Sequence, residues 1–529
     1  MVRNGLAQVD QRTDTLTLHR LIQRVLRDQL TPDEQTALRE RAQAVLGQTN
    51  PKDPDESDTW QRYATLLPHL RPTRAEESRN LPVRQWICDT VRYLWRRGDA
   101  ETANSTARQV LDNWLPRFGE DDALVLRLRT ELGNALREQG RLPEAYEVTS
   151  DVFERAGRVL GEDHPYTLSA AMSLGSDLRS VGRYADAMES DRETLRRTKR
   201  LLGDGHARTL AAAGNLAVSE FLSGNRQAAR DTNREILKQR REIFGPDQRA
   251  TLNSATNYAR DLRAAGALHD ALKLLQDTLR RSRRALGPGH LITFRASLGV
   301  AVLHRRLGQY EDAYELTSET YEQAKKQLGS DHHDTLAIAT NLSADLYDRG
   351  EAESGRELAK NTLAHYERRF GPDHVFTLTC ANNLAVLLRL TGQPQAALEL
   401  STRTADRFRR LLGARHPYTL TCMLNHATDL SANDDQPKTV AVAREAYERL
   451  TGVLGADHYL SIAAASNLAV QLRRDSSDES ERSHEEADRL HAEAKRRAWE
   501  SKELGGDHPL TAAVTNWRPI DADIEQPVS

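Results

Sequence analysis

Residues 370–412 read FGPDHVFTLTCANNLAVLLRLTGQPQAALELSTRTADRFRRLL, and the pattern begins again at Gly413. When the sequence is compared with itself at a shift of 42 residues, glycines fall into register along most of the chain. These glycines are Gly119, Gly161, Gly203, Gly245, Gly287, Gly329, Gly371, Gly413 and Gly455. A period of this length is typical of stacked units, each of which buries its apolar face against its neighbours. The sequence therefore predicts a repeat array instead of a domain with one core.

Each unit has the pattern of two antiparallel helices, which we name A and B. In the quoted unit, apolar residues at a 3.6-residue spacing predict helix A, and Gly392 marks its end because glycine readily supplies a left-handed residue there. Helix B carries the small residue Ala397 in its first turn, opposite the small residue Ala385 of helix A. Small residues at both positions predict a close approach of the two helix axes.

Three motifs of the quoted unit, Asn383-Leu384-Ala385, Gly392 and Ala396-Ala397, resemble the tetratricopeptide repeat in the 42-residue form of kinesin light chains. The turn GEDHPYTL at 161–168 is also typical of that form. The resemblance covers residues 119–517. It implies an all-α fold, a right-handed α-solenoid of about nine helix pairs.

Residues 1–30 differ from the array and contain two short strand-like runs followed by an amphipathic helix, Leu18–Leu30. Leu16 and the run LHRLIQ at 18–23 are similar to the end of the winged-helix domain in bacterial NB-ARC signalling NTPases, which implies a winged-helix-like remnant with a β-hairpin. Residues 31–81 predict a small helical region and linker. It should hold helices at 32–46 and 58–70 and a capping box between Thr31 and Glu34. Residues 82–118 predict an irregular helix pair that caps the array.

The pattern weakens towards the C-terminus. Asp434 stands where other units have the turn glycine, and Thr439 replaces the small residue of helix B, so looser packing is expected there. Residues 475–481 predict an inserted loop, and a last helix should end at Trp517. Residues 518–529 form an acidic, proline-containing tail that is too short to fold alone. The tail resembles the C-terminus of actinobacterial repeat proteins encoded beside short FxSxx-COOH peptide precursors.

Composition and motifs exclude several classes of function. The net charge of −3 predicts no field that would steer nucleic acid or a membrane surface to the chain. No apolar run reaches the ~18 residues that a membrane span needs. Three cysteines in 529 residues favour a reducing compartment, and hence the cytoplasm. The motifs of phosphate-binding loops, zinc proteases and nucleophile elbows are missing, so we expect no enzyme activity and no cofactor.

A histidine recurs in the turn before helix A and raises the question of a metal site. The set is His164, His206, His290, His332, His374, His416, His458 and His508. Successive members should lie on the order of 10 Å apart, a helix-packing distance, whereas zinc ligands must converge at ~2 Å. A structural role is therefore expected, beside a proline at the first helical position in several units.

Helix A carries the candidate binding residues. Asparagine recurs six residues after the repeated threonine, and arginine follows another six residues on. The candidates are Asn215, Asn257, Asn341, Asn383, Asn425, Asn467, Arg179, Arg263, Arg305, Arg389 and Arg473. The resemblance implies that helix A lines a concave groove in which asparagine holds the backbone of an extended peptide. An amide suits this role because it both donates and accepts hydrogen bonds, and arginine can bind a carboxylate through two N–H groups. Alternatively, the asparagines bond a neighbouring helix and the arginines are merely solvated.

The sequence thus predicts a non-enzymatic scaffold that binds a protein or an extended peptide, with a preference for acidic residues or a free C-terminal carboxylate. A positive stripe of arginines should provide that preference. The alternative is the sensor arm of an NB-ARC-type NTPase whose nucleotide-binding core is missing from this chain. The sequence leaves the ligand and the oligomeric state open.

Overall fold

The computed structural model describes residues 7–10, 15–474 and 480–524. The chain divides into two compact units, Met1–Ala135 and Leu136–Ser529, with the boundary inside a helix of the first predicted repeat. Most of the predicted inserted loop, residues 475–479, lies outside the described part, and a helix begins at Ser480. Within the described residues the fold is all-α apart from one hairpin, which confirms the predicted α-solenoid class.

The first unit begins with the hairpin, in which Ala7 of strand β1 lies opposite Leu18 of strand β2. The elements are β1 Ala7–Asp10, β2 Thr15–Leu18, α1 Arg20–Asp28, α2 Pro32–Gln48, α3 Ser57–Leu66, α4 Leu81–Arg96, α5 Ala100–Phe118 and α6 Ala123–Glu138, the last of which crosses the boundary. The capping box of α2 is confirmed, since the Glu34 carboxylate accepts from the Thr31 backbone N–H at 2.8 Å. The helix predicted at 58–70 ends early, at Leu66, and continues as a 3₁₀ turn because Pro68 has no backbone N–H to donate.

The second unit consists of stacked helix pairs, in which the even-numbered helices are A helices and the odd-numbered ones are B helices. Its helices are α7 Leu142–Leu160, α8 Pro165–Ser180, α9 Tyr184–Leu202, α10 Ala207–Leu222, α11 Arg226–Phe244, α12 Arg249–Ala264, α13 Leu268–Ala285, α14 Leu291–Arg306, α15 Tyr310–Leu328, α16 His333–Asp348, α17 Ala352–Phe370, α18 Val375–Leu390, α19 Pro394–Leu412, α20 Pro417–Ser431, α21 Gln436–Leu454, α22 Tyr459–Arg473, α23 Ser480–Glu500 and α24 Pro509–Thr515. From α9 to α23, each B helix thus packs between its own A helix and the next.

The turn histidine caps helix A. In the quoted unit, Nδ1 of His374 accepts from the backbone N–H of Phe376 at 3.2 Å, which satisfies a free donor of the first turn. The hydroxyl of Thr377 donates to the carbonyl of Gly371 at 2.7 Å and closes the turn. These two bonds explain why histidine and threonine recur together in the sequence.

The turn between helices A and B requires a left-handed residue. The repeated glycines adopt it, and Gly392 has φ of 77°. Asp434 holds the same conformation, with φ of 60°, in the unit where glycine is replaced. In that unit Thr439 is fully buried and its hydroxyl donates to the carbonyl of Asp435 at 2.8 Å, so the polar group has a partner.

Helix pairs approach closely where small residues face each other, as the sequence predicts. Ala217, Ala229, Ala385 and Ala397 are almost completely buried. At Gly355 an added Cβ would lie 2.6 Å from the carbonyl oxygen of Ser343.

The array also coils far enough for repeats about five units apart to touch, a feature that the sequence did not predict. His508 Nε2 lies 2.7 Å from the carbonyl of Arg306, and His458 Nε2 lies 3.3 Å from that of Ala264. Because Nδ1 of both rings accepts from its own helix, Nε2 carries the proton and donates. We call these two hydrogen bonds the histidine clasp. Each histidine therefore caps the start of one A helix and the end of another.

Candidate functional site

The C-terminal segment lies against the A helices of the last repeats. Residues 518–524, which we call the tail segment, have no regular secondary structure. They run along α18, α20 and α22, whose facing asparagines are Asn383, Asn425 and Asn467. We call these three asparagines the amide ladder.

Each amide of the ladder forms two hydrogen bonds with one residue of the tail segment. The backbone N–H of Ile520 donates to Asn467 Oδ1 at 2.8 Å, and Asn467 Nδ2 donates to the Ile520 carbonyl at 2.8 Å. The corresponding distances are 3.0 and 2.7 Å between Ala522 and Asn425. They are 2.9 and 3.1 Å between Ile524 and Asn383. Successive rungs therefore hold every second residue of an extended chain, whose alternate backbone groups point to one side.

The direction of the tail segment follows from this register. Ile520 lies at the later repeat and Ile524 at the earlier one, so the segment runs opposite to the order of the repeats. Because the ladder contacts only backbone atoms of the segment, these six hydrogen bonds do not depend on its side chains.

The two acidic residues between the rungs are bound by arginines. The Asp523 carboxylate lies 2.6 Å from Arg305 Nη2 and 2.6 Å from Arg306 Nη2, and Asp521 pairs with Arg389. Burial alone would raise the pKa of Asp523, but the Arg306 and Arg305 guanidinium groups hold it at about 2. Asp523 is therefore ionised at neutral pH.

The apolar side chains of the tail segment enter the core of the array. Ile524 is 2% exposed and packs in a cluster with Leu384 and Leu387 of α18. Ala522 is 3% exposed and packs near Leu424 and Leu460. At about 25 cal/mol per Å² of apolar surface, these contacts add substantially to the hydrogen bonds that hold the segment. The segment is thus recognised as an alternation of apolar or small and acidic residues.

Four of the five predicted arginines pair with an aspartate, which neutralises much of the predicted positive stripe, and for Arg305 and Arg389 that aspartate lies on the next A helix. Arg305 Nη1 lies 2.6 Å from Asp345, and Arg389 pairs with Asp429. A buried guanidinium needs such a partner because burial removes its hydration. Elsewhere in the predicted set, Arg179 pairs with Asp191 and Arg473 with Asp488, and Arg263 lies in the last turn of α12. Arg305 and Arg389 also bind the tail segment with a second N–H group.

The remaining predicted asparagines form no hydrogen bond with the described residues of the tail segment. Asn341 has a local role, since its Nδ2 donates to the Ala337 carbonyl at 3.0 Å and its Oδ1 accepts from Arg305 at 3.0 Å. Asn215 and Asn257 are half-buried, and their side chains form no hydrogen bond with any residue in the described ranges. Gly299 occupies the corresponding place in α14 and interrupts the series.

Three residues at the site were missed by the sequence analysis. Asn382 Nδ2 donates to Asn383 Oδ1 at 3.1 Å, and its own Oδ1 accepts from Asn425 at 3.2 Å, so it links two rungs. Arg306 binds Asp523, and its repeat position carries an arginine again only at Arg474. Burial raises the pKa of Asp348 to about 7; the Arg305 guanidinium opposes the shift, and the Asp523 carboxylate adds to it.

Other kinds of site are not supported in the described residues. No cluster of three or more histidine, cysteine, aspartate or glutamate side chains there could hold a metal ion. The three cysteines, Cys88, Cys380 and Cys422, are buried and free. None of the helices in the described ranges combines the length and the apolar character needed to cross a bilayer.

The stacked helix pairs define the chain as an α-solenoid whose A helices carry a row of asparagines beside the tail segment. The family model described as "Tetratricopeptide repeat" matches residues 124–200, 166–242, 208–284, 250–316, 292–354 and 334–409. Together these matches span more than half of the 529 residues. The chain belongs to the tetratricopeptide-repeat family.

Several solved structures are similar. The nearly identical TPR-like repeats of a kinesin light chain candidate from Podosopora anserina are 22% identical; the match covers 38% of this chain and 95% of that one, with a TM-score of 0.34. BtubC (BKLC) from P. vanneervenii is 18% identical over 47% of this chain and 92% of its own, with a TM-score of 0.34. A Rap protein complexed with Competence and Sporulation Factor is 12% identical over 69% and 99%, with a TM-score of 0.46. No curated protein matches the sequence.

Proposed function

We propose that this protein is a non-catalytic scaffold that binds an extended, acidic segment of a protein or peptide along its A helices. The observation that supports the proposal is the amide ladder with its occupant. Three asparagines bond both backbone groups of alternate residues in the tail segment, which is how a separate extended peptide would be held.

Asparagine and arginine contribute differently to ligand recognition in the groove. The asparagines contribute affinity that is largely independent of ligand sequence, because they contact only backbone atoms. Arg305, Arg306 and Arg389 contribute a preference for carboxylates, and that part should weaken as salt screens the charges.

We also propose a compartment and a class of partner for the protein. Three free, buried cysteines suit a reducing compartment, and we place the protein in the cytoplasm. The resemblance of the tail to repeat proteins encoded beside FxSxx-COOH precursors favours a bacterial partner with a free C-terminal carboxylate. The second candidate, a regulatory arm of an NB-ARC-type NTPase, draws on the hairpin and helix at 7–28. A copurifying ATPase would favour that candidate.

A peptide titration tests the proposal. The probe is a fluorescent peptide with the sequence of residues 518–529, and the protein is the full chain with Asp521→Lys and Asp523→Lys, which we call the open-tail variant. Two lysines beside Arg305 and Arg389 should expel the tail and expose the groove. We expect saturable binding by anisotropy, and a loss of at least ~10-fold in affinity when Asn383→Ala and Asn425→Ala are added, since each removed pair of hydrogen bonds weakens binding.

The matched control is Asn361→Ala, which removes an exposed amide from a B helix and should leave the affinity unchanged. If the open-tail variant binds neither this peptide nor any partner from its own cytoplasm, the A-helix groove is not a ligand site.

A further inference from the structure

We infer that the tail segment is an internal ligand that closes the groove, and that the external partner carries the same alternation of apolar or small and acidic residues. This inference rests on the proposed function. It adds a regulatory step, because the groove must be vacated before the partner can bind.

The tail segment occupies the amide ladder and the arginines beside it. All three rungs of the ladder are saturated by the backbone of the tail segment, and both of its carboxylates are paired with arginine. An incoming chain cannot bond the same amides, since each has already used one donor and its acceptor on the tail segment. Occupation by the tail and by a partner is therefore mutually exclusive.

The connection between the tail segment and the array is short. Helix α24 ends at Thr515, and the first residue held by the ladder is Ile520. A short connection gives an attached ligand an effective concentration in the millimolar range. A free peptide with the same contacts must exceed that concentration to compete, so the intact protein should bind it weakly.

The partner must share the residue pattern of the tail segment. The rung at Asn425 accepts the small Ala522 with almost no exposed surface, and the rung at Asn383 seats Ile524 in an apolar cluster. The arginines select carboxylates at the two intervening positions. The partner segment should therefore read apolar, acidic, small, acidic, apolar, as Ile520–Ile524 does (IDADI).

The experiment compares the wild-type chain with the open-tail variant by two readouts. The first is the affinity for the labelled 518–529 peptide, which should be at least ~10-fold tighter for the open-tail variant. The second is hydrogen exchange of the amides of Ile520, Ala522 and Ile524, which should be slow in the wild-type chain and fast in the variant. The variant Glu399→Lys/Glu448→Lys, with two exposed B-helix carboxylates changed, is the control for net charge and should behave as wild type.

The outcomes separate the two proposals. Equal peptide affinity for the wild-type chain and the open-tail variant would overturn the internal-ligand inference but leave the groove as a peptide site. Rapid exchange of the three tail amides in the wild-type chain would also overturn it. Slow exchange without peptide binding to either protein would make the tail a structural element and would overturn both proposals. If the two lysines disturb folding, as judged by circular dichroism, Asp521→Asn/Asp523→Asn replaces them, with the same expected order of affinities.

Discussion

At the scale of single residues, Asp348 is a buried carboxyl whose pKa responds to the tail. It lies near the carboxylates of Asp345 and Asp523 and near the guanidinium groups of Arg305 and Arg306. Burial raises its pKa to about 7 from the usual 3.8, with Asp523 contributing. A state that raises the pKa of a carboxyl is favoured at low pH, where the group is protonated. The same state becomes less favourable as the pH rises towards the raised pKa, because the other state can ionise the group first. The seated tail should therefore be held less firmly at pH 7 than at pH 5.

Asp348→Asn tests this coupling because the amide cannot ionise. We expect the tail amides of the variant to be better protected from exchange than those of the wild-type chain at pH 7.5, and equally protected at pH 5. The pKa of Asp523, held at about 2, keeps that group ionised throughout this range. Identical protection of the variant and the wild-type chain at both pH values would rule out Asp348 as the cause.

Single residues also show what the sequence could and could not reveal about the site. The ladder asparagines were predicted because they recur every 42 residues. The pairing of Arg389 with Asp429 was missed because the aspartate recurs only in every second repeat. Arg306 was missed because the three following units have Asp348, Leu390 and Ala432 at its position, so periodicity gave only a weak signal for it.

At the scale of elements, the close approach of helices α16 and α17 limits which residues can replace Gly355. An added Cβ would meet the Ser343 carbonyl oxygen at 2.6 Å, and a backbone atom cannot move aside without shifting its helix. Gly355→Ala should therefore lower the free energy of unfolding by about 1–3 kcal/mol, although alanine is the better helix former.

Gly452→Ala is the matched comparison, since Gly452 lies within helix α21 and an added Cβ there meets nothing within 4 Å. That change should raise stability by about 0.5–1 kcal/mol. Urea unfolding of the two variants measures both effects. A Gly355→Ala protein as stable as Gly452→Ala would mean that the helix pair can open without cost.

Helix bounds were largely predictable because the local rules and the repeat agree. Glycine, histidine and threonine mark most turns, and the structure places helices between them. The helix predicted at 58–70 ends before Pro68 because proline has no backbone N–H, a local rule that the prediction did not apply. The seat of the tail was not predicted, since Asn383 and Ile524 are 141 residues apart and no periodic signal joins them.

At the scale of the whole second unit, the histidine clasp joins repeats that no sequence pattern relates. Each clasp imidazole accepts at Nδ1 and donates at Nε2, so it must be neutral. Burial lowers the pKa of His458 to about 4, and it also lowers the pKa of His508. In the unfolded chain both groups should titrate near the usual 6.5.

The clasp therefore predicts a specific acid sensitivity. Between pH 6.5 and about 4, the unfolded chain binds a proton at position 458 that the folded chain rejects, so the free energy of unfolding must fall with falling pH. The slope reaches about 1.4 kcal/mol per pH unit for one such group. His458→Asn keeps a capping side chain but cannot titrate, so it should be less stable than the wild-type chain at pH 7 and should lose less stability on acidification. His484→Asn, at an exposed position of α23, should keep the full wild-type slope. Urea unfolding at several values between pH 7 and pH 4.5 measures the difference between each variant and the wild-type chain. Parallel curves for His458→Asn and the wild-type chain would mean that the contact between distant repeats does not depend on a neutral imidazole.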